Sequence, residues 1–179
     1  MTDVVDLHRA RLDMKAGKGF RNWISRFGED FGPDSRLDTI SKKTLSFLAL
    51  GKGESPFYLY DLIMNLLDLG SGFEMNELNA KDKMSVMDRY LFLLDRIRFE
   101  YMKRLGWLGA YAGEEFTLVE LVLKFDRLAP GIQARPPVLS RDHPSYPRFR
   151  KMNIFQQEEF IRKLVPEALK RIRNHSRTL

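Results

Sequence analysis

Ten residues toward one end of this chain have the types and spacing suited to holding an anion: Arg135, Arg141, His143, Tyr146, Arg148, Arg150, Lys151, Lys170, Arg171 and Arg173. Guanidinium and ammonium groups neutralise phosphates, and aromatic rings set among them stack on bases. Tyr146 and Phe149 are interleaved with these cations. The charge is local. Residues 130–179 hold 11 Lys+Arg against 4 Asp+Glu, which leaves 19 basic and 20 acidic residues in 1–129. The net +6 of the chain is therefore a near-neutral body with a basic C-terminal third. Charge gathered in one segment points to an anionic partner. The opposing expectation is that these cations pair with carboxylates of the body.

Other chemistry is weaker. Asp61 and Asp68 are seven residues apart on one apolar helical segment, as are Asp88 and Asp95 on another. Two such faces turned toward each other would make a carboxylate metal site between helices. The di-iron pattern also needs Glu-x-x-His motifs, and the chain has none. His8, His143 and His175 are too scattered to share a metal. Gly17-Lys18-Gly19 and Gly51-Lys52-Gly53 lack the upstream Gly and following hydroxyl of a phosphate loop. Counted from Asp68, the loop before residue 80 has one ligand of the set that calcium needs. With zero Cys, disulfides, thiolate metal sites and cysteine nucleophiles are excluded. No cofactor is expected from any motif.

The elements that must position these residues read as helices. Phe20, Trp23, Ile24, Phe27 and Phe31 share a stripe at helical spacing. Ser35 has capping-box spacing to Asp38 and predicts a helix running to Gly51; Ser55-Pro56 predicts another, closed by Gly70. The latter is apolar on most sides and should be central. A short helix is expected after Ser71, and Asn79 caps the longest, from residue 80 to about 108. On this longest helix Arg89, Arg96, Arg98, Lys103 and Arg104 read as the wet face. A further helix is expected over 114–129.

Residues 130–152 hold five of the eight prolines and read as a basic strap with apolar anchors. Asn153 then caps a final amphipathic helix, which Pro166 should kink or restart. The expectation is thus an all-α protein: a body over 1–129, a strap over 130–152, and a C-terminal helix over 153–179. About seven helices should form a single bundle around one core. No stretch reaches the ~18 uninterrupted apolar residues of a membrane span, and the acidic N-terminus lacks the features of a secretory signal. A cytoplasmic protein is expected.

With no catalytic constellation in view, the sequence points first to a non-enzymatic interaction protein, an adaptor or regulatory subunit whose partner is another protein. Nucleic-acid binding through residues 130–179 is the alternative. A metal-dependent enzyme built on the four aspartates is the third reading.

Overall fold

The computed structural model describes residues 2–177, with side chains from Leu7 onward. Among these residues are nine α-helices, two 3-10 helices and one two-stranded ribbon. The all-α expectation holds, although the helices are more numerous than the seven expected, because several expected helices divide.

The centre is α4, Ser55–Leu66, with Pro in its first turn. Leu59, Leu62, Ile63, Met64 and Leu66 are fully buried, which is what an all-round apolar helix requires. α1 (Thr2–Gly19) packs along it. At their contact, a Cβ on Gly19 would stand 2.9 Å from Leu62 Cδ1, so any larger residue there requires the Leu62 side chain to shift. α2 (Arg21–Phe27) buries Trp23, whose indole N–H donates to the Tyr58 carbonyl at 2.8 Å. Around Trp23 stand Phe20, Phe27 and Phe31, with ring centroids 5.2 to 6.0 Å from its own. Ile24, expected inward, is exposed, because this cluster occupies one side of α2 only.

The expected helix from Ser35 to Gly51 is divided. A 3-10 turn spans Leu37–Thr39, and α3 spans Lys42–Ala49 behind Ser41, whose hydroxyl accepts from the Thr44 N–H. Glu29 causes the break: its carboxylate accepts from the Ser41 N–H and hydroxyl and from the Thr44 hydroxyl. Burial alone would raise the Glu29 carboxyl; these donors outweigh it and hold it below the ordinary carboxylate range.

α5, Ala80–Arg104, starts at the expected cap: Asn79 Oδ1 accepts from the Asp82 N–H at 2.8 Å. It contacts α3, α4, the ribbon and the last helix. The expectation of a wet arginine face fails here. Arg89 and Arg96 are buried, and Arg98 and Arg104 are half-buried. Arg98 Nε donates to the Ala49 carbonyl at 2.8 Å, so it caps the end of α3. Arg104 donates to the Ile40 and Leu37 carbonyls at 2.5 and 2.7 Å and pins the 3-10 turn. Arg89 Nε donates to the Val122 carbonyl at 3.0 Å. A forked five-donor group on an apolar stem satisfies loose carbonyls that water cannot reach.

The expected helix over 114–129 is also two. α6, Leu118–Leu123, opens with a full capping box between Thr117 and Glu120. α7, Phe125–Gln133, follows a break at Lys124 and runs through Pro130. The strap thus starts inside a helix. It then adds β2 (Val138–Leu139) antiparallel to β1 (Leu108–Ala110), and a short α8, Tyr146–Arg150. The final helix, α9, spans Ile154–Ser176 as one element with Pro166 inside it. Its cap is as expected: Asn153 Oδ1 accepts from the Gln156 N–H and the Gln156 side chain accepts from the Asn153 N–H. Ile161, Ala168 and Ile172 are its buried face. Among the described residues, no helix is long and apolar enough to cross a membrane.

Candidate functional site

At 1.5 Å per residue, α9 is a rod about 34 Å long. Ile161, Ala168 and Ile172 fix one side against the body. At 100° per residue the opposite side carries Gln156, Glu159, Lys163, Lys170, Asn174 and Arg177, with Arg173 at one edge and Glu167 at the other. Two surface depressions lie along this side. One, of about 320 Å³, is lined by Arg148, Lys151, Gln156, Glu159 and Lys163 around Phe160 and Met152. The other, of about 370 Å³, is lined by Pro166, Lys170, Arg173, Asn174 and Arg177. The end of α8 therefore abuts the first half of the outer stripe of α9, and the stripe continues to the end of that helix.

The ion pairs in this region are few. Arg162 reaches Glu158 at 2.7 Å and Lys163 reaches Glu159 at 3.3 Å, each one turn apart within α9. Arg135, Arg141, Arg148, Arg150, Lys151, Lys170, Arg171, Arg173 and Arg177 make no ion pair among the described residues. The expectation of cations paired with body carboxylates is not met. The body uses its own: Lys15 with Asp68, Arg26 with Glu54, Lys103 with Glu114, Arg104 with Glu100.

The ten sequence-derived residues divide five ways. Arg148, Lys151, Lys170 and Arg173 fall on the stripe. Arg171 is used for packing: its guanidinium lies 5.5 Å from the Trp107 ring centroid. His143 and Tyr146 shape the strap. His143 Nδ1 accepts from the Ser145 N–H at 3.1 Å, its ring is edge-on to Phe160, and Tyr146 packs half-buried on the core. Arg141 and Arg150 are exposed outside both depressions. Arg135 belongs elsewhere, in a cleft between α5 and α9.

Lys163 and Arg177 complete the stripe and are absent from the sequence-derived set. Their helical phase relative to Lys170 was the available signal. Its first turn also exposes Ile154 and Phe155, the latter 83% accessible.

The four aspartates are not brought together. Asp61, only 1% exposed, accepts from the side chains of Asn22 and Asn65 and from the Gly72 N–H at 2.8 to 3.2 Å, so it fastens α2 and the second 3-10 helix (Gly72–Glu77) to α4. Asp68 pairs with Lys15. Asp88 and Asp95 are exposed on α5. Among the described residues no three His, Asp or Glu gather as metal ligands do.

No family model, curated protein or solved structure matches this chain.

Proposed function

We propose that this protein is a non-enzymatic binding protein, and that its partner is nucleic acid held along α8 and α9. The observation that carries the reading is the stripe itself: Lys163, Lys170, Arg173 and Arg177 along the outer side of α9, with Arg148 and Lys151 of the α8 end beside its first half, all but Lys163 without an ion pair among the described residues. A run of cations beside and along a helix about 34 Å long, of which only Lys163 is ion-paired among the described residues, suits a duplex, which places one phosphate charge per ~1.7 Å of axis. No base-reading motif accompanies it, so the contacts are to phosphate and the binding tolerates sequence.

Gel-shift titration of a labelled duplex at low salt tests the reading, with polyglutamate as competitor. Duplexes of unrelated sequence bind alike, and replacing Lys170, Arg173 and Arg177 by Ala weakens all of them equally. A protein that leaves the duplex unshifted at low salt refutes the proposal.

A protein partner is the second reading, and Phe155 favours it. A phenylalanine this open beside Ile154 is the kind of apolar anchor that protein interfaces bury. Phe155→Ser separates the readings. It abolishes capture of a protein partner and leaves the duplex shift unchanged.

A further inference from the structure

The second face of α9 carries a different feature. Between α5, the Pro136-Pro137 turn and α9 lies a cleft of about 380 Å³, the size that small ligands occupy. It lies on another flank of α9 from the cationic stripe, since Glu158, Ile161, Arg162 and Val165 line it.

Arg96 stands in its wall, 5% exposed. The Phe92 and Phe99 rings hold the guanidinium, with centroids 5.3 and 4.8 Å from its carbon. One terminal nitrogen donates to the Ala112 carbonyl at 2.7 Å. The Nε has no hydrogen-bond partner and is the one such buried side-chain atom among the described residues. A buried donor left unmade costs free energy, and a guanidinium edge is shaped for a carboxylate. Arg135 is the second cation of the cleft, bonded among the described residues only to the Gly131 carbonyl four residues before it. Glu158 is already held by Arg162 at 2.7 Å. Asp95 is not held: it makes no hydrogen bond or ion pair among the described residues. The cleft thus holds two cations with free donor capacity and one carboxylate that feels Arg96, Arg162 and Arg98 through space but accepts no hydrogen bond among the described residues, beside Phe99, Pro137, Ile161 and Val165.

We propose that this cleft binds a small zwitterion, an α-amino acid with an apolar side chain, its carboxylate on Arg96 and Arg135 and its ammonium on Asp95. The apolar side chain lies against Phe99, Ile161 and Val165. A simple anion leaves Asp95 without a hydrogen-bond donor, and a simple amine leaves the free donors of both arginines without an acceptor. The proposal stands apart from the duplex reading, whose residues lie on the other face.

Calorimetric titration of the full chain with L-leucine tests it, alongside isocaproate, which lacks the ammonium, and isopentylamine, which lacks the carboxylate. Leucine binds, and each single-charge analogue binds at least about tenfold more weakly. Asp95→Asn and Arg135→Ala, both on exposed residues, each lower leucine affinity by about tenfold or more; Lys170→Ala leaves it unchanged. Absence of leucine binding at about 10 mM overturns the proposal. So does equal binding of isocaproate, or leucine affinity that ignores both cleft variants.

Discussion

The arginines of α5 and the cations of α8 and α9 are the same residue types put to opposite uses. On α5 they turn inward and close other elements. Arg98 caps α3, Arg104 holds the Leu37–Thr39 turn, and Arg89 holds the Val122 carbonyl of α6. Each joins segments far apart in sequence, so its removal is felt across the body. On α9 the cations apart from Arg162 and Arg171 look outward, and the two ion pairs of the helix are both internal to it. Eight of the 19 Lys and Arg in residues 1–129 make ion pairs among the described residues, against two of the 11 in residues 130–179. The lesson is that ion pairing and carbonyl capping claim a larger share of the body's cations than of those in the C-terminal third.

The sharpest break in that contrast comes from Arg104→Ala. It strips donors from Ile40 and Leu37 and leaves Glu100 buried, with only the Tyr111 hydroxyl still donating to it. Breaking a buried ion pair from one side costs about 3 kcal/mol, and urea unfolding reads this directly. Replacing Arg171, which lies over Trp107, sharpens the contrast from the other side. Its loss costs about 0.5–1 kcal/mol of stability and leaves duplex affinity nearly unchanged, because this cation lies over Trp107 and off the stripe. Removing Arg148, Lys151, Lys170 and Arg173 together changes the unfolding free energy by no more than about 0.5 kcal/mol. Four exposed cations without pairs contribute little to the folded state.

The smallest effect is at Asp95. Desolvation by the cleft walls raises its carboxyl above the ordinary value, against the pull of Arg96, Arg162 and Arg98. A raised carboxyl binds its proton more tightly folded than unfolded. Its contribution is therefore complete below the unfolded value and is lost as pH rises through the folded one. Asp95→Asn accordingly raises the melting temperature at neutral pH, and the gain vanishes in acid, where the aspartate is itself protonated. The residue is exposed, so the effect on stability is the smallest of these.

Where side chains act on their own backbone, the sequence is a sufficient guide. Asn79 and Asn153 cap the helices they should, because an Asx cap is satisfied within three residues. The divided helices were not legible. Residues 35–51 read as one helix until Glu29, distant in sequence, takes the Ser41 N–H. The ribbon in the strap was hidden for a related reason: two residues, Val138 and Leu139, have no period to detect. The buried arginines misled most. Hydropathy places Arg89 and Arg96 on a wet face, whereas carbonyls orphaned by other segments draw them inside. The candidate surface was half legible. Charge asymmetry located it, but only the orientation of α9 separated Lys170 and Arg173 from Arg171 and moved Arg135 to the cleft.

Titrating a duplex across a range of salt, with the native chain and with Lys170→Ala, Arg173→Ala and Arg177→Ala combined, tests the central claim most directly. Four to six phosphate contacts give a log–log slope of about −4 to −5 for the native chain, and each contact removed makes it shallower by about 0.9. The triple variant should show that shallower slope with an unchanged unfolding curve. An equal slope for both proteins, or no binding by the native chain at low salt, contradicts the assignment of these cations to an external anion.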